Sequence, residues 1–252
     1  MKRWKDEVAV ITGASSGIGR ATALAFAEAG ARVAVSDVQD TAGEQIAREI
    51  RERGSEAVFI HADVSQASEA SALIEKVLQR FGRLDFAFNN AGIEGEMATT
   101  VDCTEQNFDR VIAVNLKGIW LCMRSELEQM LKRGVGAIVN CSSVAGLVGF
   151  PQLPAYAASK HGVIGLTRAA ALECGKSGVR INAVCPGAIR TPMLDRIMSS
   201  TADMNRQLVA SEPIGRLGKP EEIGKAVVWL CSDDASFVTG HALAVDGGWV
   251  AQ

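Results

Sequence analysis

One tyrosine occurs in the 252 residues, Tyr156 in the stretch PAYAASKHG, and Lys160 follows it by four positions. Residues four apart share a helix face, so the ammonium can lie beside the phenol and favour its ionised form. A phenol so placed can take a proton from an alcohol or give one to a carbonyl. One exposed ion pair is too weak for that task near neutral pH, so a second positive charge and a dry site are required.

Other residues could complete such a site. NCSSVAG brings Ser142 and Ser143 to the end of a strand pattern, where one hydroxyl could hydrogen-bond a reacting oxygen; two turn serines are the plainer alternative. Asn115 in VIAVNLKGIW suits a helix interior poorly and could hold water that passes protons toward Lys160. Near the N-terminus, VITGASSGIGR sets Thr12, Gly13, Gly17 and Gly19 between a strand pattern and a helix pattern. Glycines there let backbone N–H groups approach a pyrophosphate, whose charge the helix start favours. Asp37 ends the next strand pattern, 18 residues after Gly19, close to the roughly 20-residue spacing of an acid that binds ribose hydroxyls. A carboxylate there accepts from both hydroxyls of NAD and repels the 2′-phosphate of NADP. Val38, Gln39 and Asp40 offer no compensating cation, so NAD is the expected cofactor and NADP the less favoured one. Its oxidised nicotinamide would supply the second charge that Tyr156 needs. Asp63 and Val64 in HADVS could border adenine or be turn and core, and NNAGI (89–93) reads as a turn.

Placing these groups requires a sheet with return connections. EVAVIT, ARVAVS, EAVFIH, LDFAFN, GAIVNCS, VRINAV and ALAVDG are β-rich runs, and helical patterns separate the earlier ones. Continuous apolar strands suit a sheet buried on both faces, hence an α/β, doubly wound parallel sheet in a single domain over residues 1–252. Thr41 and Glu44 carry a capping-box pattern that Gly54 closes. From Thr191 to about residue 214 the alternation breaks, and a substrate-binding lid is expected there. Its Met193, Leu194, Ile197, Met198, Met204 and Leu208 suit an apolar or cyclic substrate, although a core-packing helix explains them equally well.

Composition excludes other classes. Apolar residues make up 48%, charged residues 22%, and the net charge is −3 with no dense Lys/Arg cluster, so nucleic acid is not an expected partner. No apolar run reaches the roughly 20 residues of a membrane span, and no leader pattern is evident, so a cytoplasmic protein is expected. The six cysteines and three histidines are scattered, which points to structural thiols and no metal site.

Taken together, TGASSGIG, NNAG, Asn115, the serine, YAASK and PGAIRT resemble the short-chain dehydrogenase/reductase family, over Val8 to Gly248. The resemblance implies a Rossmann-like seven-stranded sheet of order 3-2-1-4-5-6-7 and a catalytic set of Asn115, Ser143, Tyr156 and Lys160. Ser143 is the serine thirteen residues before the tyrosine, as in the family. The resemblance further implies that Gly13, Ser15, Ser16, Gly17, Ile18 and Gly19 hold the dinucleotide, together with Asp37, Val38, Asp63 and Val64. Asn90, Ala91 and Gly92 would join them. Lys160 and Tyr156 would touch the nicotinamide ribose, while Pro186, Gly187, Ile189 and Thr191 would place the carboxamide. The activity implied is NAD-dependent interconversion of secondary alcohols and ketones. Related enoyl reductases and epimerases, with a six-residue Tyr–Lys gap or a TGxxGxxG loop, fit less well. The alternatives are an NADPH-linked 3-oxoacyl-carrier-protein reductase, against which Asp37 argues, and a non-catalytic dinucleotide sensor.

One face of the Tyr156 helix carries Ala158, Gly162, Gly165 and Ala169. Two helix-interior glycines each cost about 1 kcal/mol relative to alanine, which calls for a packing reason. Contact between subunits is the expectation, in a homotetramer such as the family commonly forms, with close packing within the chain as the alternative.

Overall fold

The structure, a computed structural model, describes residues 4–198 and 208–252. Seven strands form one parallel sheet in the order β3-β2-β1-β4-β5-β6-β7. They are β1 (Val8–Thr12), β2 (Arg32–Asp37), β3 (Ala57–His61), β4 (Phe86–Asn89), β5 (Gly136–Cys141), β6 (Val179–Pro186) and β7 (Ala242–Val245). The order reverses between β1, which pairs with β2, and β4, which pairs with β1 on its other side. Chain crossovers leave from that point in opposite directions, so a crevice opens at the carboxyl ends of β1 and β4.

Helices α1 (Gly17–Ala29), α2 (Asp40–Glu52), α3 (Ala67–Phe81), α4 (Glu105–Ile112), α5 (Ile119–Arg133), α6 (Pro154–Cys174), α7 (Pro192–Met198) and α8 (Pro220–Cys231) cover the sheet and carry the chain between strands. In β1, Ala9 and Ile11 enter a core with Phe26 of α1 and Ile223 of α8, while Val8 and Val10 enter one with Leu73 of α3 and Met130 of α5. A strand buried on both faces cannot alternate apolar with polar, which is why these segments read as continuous apolar runs.

Local signals end the helices well: Gly30, Gly82 and Gly134 close α1, α3 and α5 in the left-handed conformation. The capping box at Thr41 and Glu44 does not form. Helix α2 begins at Asp40 behind Gln39, which makes no side-chain cap. Asp40, an acid in the first turn, suits the positive helix end and pairs with His61 Nδ1 at 2.6 Å. Of the two glycines inside α6, one differs from expectation. A Cβ on Gly162 would stand 2.8 Å from Leu116 Cδ2, so close packing within the chain uses that glycine. Gly165 faces open space.

All six cysteines are free thiols, five of them buried. Among the described residues, no helix is long and apolar enough to cross a membrane.

A buried polar chain runs under the crevice. Glu126 of α5 accepts from Asn89 Nδ2 (3.0 Å), which also donates to Asn140 Oδ1 (3.1 Å). Asn140 donates to Thr167 Oγ1 (3.0 Å), which donates to Val163 O (2.7 Å), so α5, β4, β5 and α6 are joined. Burial pushes the Glu126 carboxyl up to about 8, opposed by the Asn89 bond. Two oxygens of this polar chain, Glu126 Oε1 and Asn89 Oδ1, lack partners among the described residues, and a proton on the carboxyl turns one of these acceptors into a donor.

Since the folded pKa lies above the unfolded value of 4.5, this group's stability contribution is full below about pH 4.5 and declines as the pH rises to about 8, by about 1.4 kcal/mol per unit. Glu126→Gln removes the titration. Urea unfolding should show the variant more stable than the parent at pH 8 by about 2–4 kcal/mol, with the gap closing toward pH 5. Parallel pH curves for the two proteins would contradict this assignment.

Candidate active site

The crevice at the strand ends contains a cavity of about 520 Å³. Tyr156 reaches it from the first turn of α6, which Pro154 starts. Its hydroxyl bonds to no group among the described residues, so it is open to a ligand. Lys160, one turn on, is 3% exposed and donates to Cys141 O at 2.8 Å. That bond places the ammonium 5.5 Å from the centre of the Tyr156 ring. The expected juxtaposition is therefore present, held by a main-chain carbonyl that the sequence pattern does not reveal.

The geometry separates the two serines. Ser142 donates to Lys160 O (2.8 Å), tying the end of β5 to α6. Ser143 instead accepts from Ala145 N (3.1 Å) and lines the cavity, with its own proton uncommitted among the described residues. Asn115 lies in a π-helical turn, Ala113–Gly118, between α4 and α5. Its Oδ1 accepts from Ile93 N (2.8 Å), and its Nδ2 donates to Ile93 O (2.9 Å) and Ser159 Oγ (3.3 Å). The segment after β4 is irregular, so its backbone needs such partners. The Asn115 side chain thus positions that segment, with its Oδ1 near the point, at Gly92, that Lys160 Nζ also approaches.

The glycine loop meets the segment after β4 directly. A Cβ on Gly13 (φ +63°) would lie 2.8 Å from Ala91 Cα, and one on Gly19 would lie 2.1 Å from Gly13 O. Asn90 Nδ2 bridges Thr12 O (3.0 Å) and Gly13 O (3.1 Å), while Thr12 Oγ1 accepts from Asn90 N and Ala91 N. Gly17 (φ +53°) packs against Thr191, where a Cβ would stand 3.2 Å from Cγ2. Ile18 and Gly92 line the cavity with Thr191.

These residues fit a dinucleotide. Helix α1 starts behind Ser16 with no side-chain cap and no acid in its first turn, so its first N–H groups remain for an anion. The Asp37 carboxylate is fixed at the end of β2: Oδ2 accepts from Ser15 N (3.0 Å) and Ser15 Oγ (2.6 Å), and Oδ1 accepts from Gln39 N (3.1 Å). Val38 beside it is exposed. Asp63 accepts from Ser65 N (2.9 Å) as a turn, and Val64 is buried under Gly118, so both have structural duties after β3.

Pro186, Gly187 and Ile189 line the cavity from the end of β6. Their loop depends on a residue with no sequence signal, Glu212, whose Oε1 accepts from Ala188 N at 2.6 Å. Burial raises the Glu212 carboxyl, the Ala188 bond opposes this, and Asp246 adds to it. A Cβ on Gly187 would lie 2.6 Å from that carboxylate, so only glycine fits.

Beyond these groups the cavity wall is mainly apolar, with Met97, Val144, Phe150, Leu153, Leu194 and Trp249. Of the expected lid, Met193, Leu194 and Leu208 line it. The side chains of Ile197 and Met198, and the whole of Met204, lie outside what is described. Glu94 spans the mouth to Arg196 with contacts of 3.0 and 3.3 Å. Gln152 is the one non-glycine residue with positive φ (+64°) among those described, at a cost of about 1–2 kcal/mol.

The comparisons agree with this architecture. A family profile described as enoyl-(acyl carrier protein) reductase matches residues 13–250. The chain is 44% identical to 2,5-dichloro-2,5-cyclohexadiene-1,4-diol dehydrogenase of Sphingobium indicum, over 96% of both chains. It is 43% identical to cyclohexanol dehydrogenase of Acinetobacter sp., covering 99% of this chain and 97% of that one. The crystal structure of levodione reductase superposes with a TM-score of 0.95 at 41% identity, over 99% of both chains. The relatives named by activity are thus named for alcohols or ketones, whereas the profile's description names enoyl reduction. This chain belongs to the short-chain dehydrogenase/reductase family, oxidoreductases that use nicotinamide dinucleotides.

Proposed function

We propose that this protein is an NAD(H)-dependent oxidoreductase that interconverts a secondary alcohol and a ketone on a six-membered ring. The observation that carries the reading is the convergence of two uncommitted hydroxyls, Tyr156 and Ser143, on one largely apolar cavity beside the tethered Lys160 ammonium. The names of the relatives support a ring substrate.

Gly13, Ser15, Ser16, Gly17, Ile18 and Gly19 would hold the dinucleotide's phosphates at the start of α1, and Asp37 would receive its adenosine ribose hydroxyls. Val38, Asp63 and Val64 would border the adenine. Asn90, Ala91 and Gly92 would form the floor, with Pro186, Gly187, Ile189 and Thr191 around the carboxamide. Bound there, the dinucleotide accepts the hydride in oxidation and supplies it in reduction. Tyr156 takes the alcohol proton in oxidation and returns it to the carbonyl oxygen in reduction. Ser143 donates to that same oxygen and fixes its position. Lys160 sets a positive charge next to the oxygen that must carry negative charge between proton transfers, and two of its N–H groups stay available for the nicotinamide ribose. Asn115 acts by positioning Ile93 and, through Ser159, the first turn of α6, since Ser159 Oγ donates to Tyr156 O at 2.7 Å.

Tyr156→Phe should lower kcat by about 100-fold or more, while NADH binding, read by fluorescence titration, persists. Full turnover in that variant would sink the proton-transfer role of Tyr156; binding without turnover in the parent, across cyclic and open-chain alcohols and ketones, would favour a dinucleotide sensor.

Specificity for NAD over NADP rests on Asp37. Asp37→Ser should reduce the ratio of kcat/KM with NAD to that with NADP by about tenfold or more, the worth of a charge-assisted hydrogen bond. An unchanged ratio would reopen the NADPH-linked 3-oxoacyl reductase.

The working unit in this reading is a homotetramer in the cytoplasm. Helix α6 exposes Gly165, Ala169 and Leu172, the last 87% exposed. Gly165→Leu should shift the sedimentation coefficient to a smaller species, and an unchanged coefficient would remove this face from the assembly.

A further inference from the structure

Outside the set assigned to the reaction and the dinucleotide, the polar side chains lining the cavity are Glu94, Ser142, Gln152 and Ser211, with the Trp249 indole, and Ser142 donates to Lys160 O. Glu94 accepts both bonds from Arg196, and Ser211 has partners of its own. The Gln152 carboxamide makes no hydrogen bond among the described residues. It stands in a wall otherwise built of Phe150, Pro151 and Leu153, with Met97 alongside.

Its backbone is held in a conformation that favours glycine. Gln152 has φ +64°, and its carbonyl accepts from Ala98 N at 2.9 Å, which joins the loop before α6 to the segment carrying Glu94 and Met97. Glycine would make this turn without steric cost. A long polar side chain at a strained position, exposed at the rim of an apolar cavity and with no bond to another described residue, can reach a ligand held there.

We propose that Gln152 is a specificity-determining residue, whose carboxamide receives a second neutral oxygen on the ring substrate, away from the reacting carbon. The inference rests on the alcohol–ketone reading above and narrows it to ring alcohols and ketones that carry another hydroxyl or carbonyl. An amide both donates and accepts, so it serves either oxidation level of that second oxygen. The second oxygen keeps its bonds throughout: hydride and proton leave only the carbinol facing Tyr156, and the products are the hydroxyketone and the reduced dinucleotide.

The test compares cyclohexane-1,4-diol with cyclohexanol in the parent, Gln152→Leu and Gln152→Gly. Leucine keeps bulk without polarity, and glycine relieves the turn, so a fall common to both cannot come from a misformed loop. The ratio of kcat/KM for the diol to that for cyclohexanol should fall about five- to tenfold in both variants, the worth of one neutral hydrogen bond, with the loss in KM for the diol. An unchanged ratio in either variant, in a parent that oxidises these alcohols, overturns the role of Gln152 and leaves the alcohol–ketone reading intact. A parent that oxidises neither compound, with NAD or NADP, overturns the ring-alcohol reading and the role of Gln152 with it.

Discussion

The site depends on a buried positive charge whose only bonded partner among the described residues is a carbonyl. Lys160 is 3% exposed and donates to Cys141 O at the end of β5. A desolvated ammonium is costly without compensation, and no ion pair offsets it among the described residues. Two consequences follow. The lysine is fixed in direction, because leaving the carbonyl would strand it. Its remaining donors also favour any oxygen of partial or full negative charge that enters the cavity. Ser142 strengthens the tether from the other side by donating to Lys160 O. The end of β5 therefore sets the position of the α6 turn that carries Tyr156.

That tether would be of little use on a sheet free to shift. The chain of Glu126, Asn89, Asn140 and Thr167 crosses under the crevice and reaches the same two elements, β5 and α6. A half-satisfied buried network is destabilising, and a neutral carboxyl limits the cost. The Asn115 contacts to Ile93 and Ser159 act on the opposite side of Lys160 and fix the irregular segment after β4. Polar groups thus hold the few places where apolar packing alone cannot specify a direction.

What the sequence made legible follows from which interactions are local. The five inner strands could be read because burial on both faces leaves a continuous apolar run, the partly buried edge strands β3 and β7 because their short β-rich runs are local, and the Tyr156–Lys160 pair because helical periodicity is local too. The Thr41–Glu44 pattern misled because Asp40, one residue earlier, had a partner in His61 across the sheet edge. Glu126 and Glu212 gave no signal, since their burial is decided by strands and loops distant in the chain. Between Ser142 and Ser143, composition allowed either and the family's thirteen-residue spacing picked Ser143; the position of the Lys160 carbonyl shows why Ser142 is the occupied hydroxyl.

The polar and apolar groups of the crevice are divided by element. The ends of β1 and β2 carry the glycine loop and the Asp37 carboxylate, while the apolar wall comes from the loops after β4 and β5, from α7 and from the C-terminal turn with Trp249. Tyr156 and Lys160 stand where these regions meet, on a helix anchored to the sheet rather than to either region. Substitutions in the apolar wall can therefore change which ring fits without moving the proton-transferring oxygen. The same division explains why strain is tolerable at Gln152. Its loop lies outside the tethered turn, so the cost of a left-handed backbone is borne where the catalytic geometry does not depend on it.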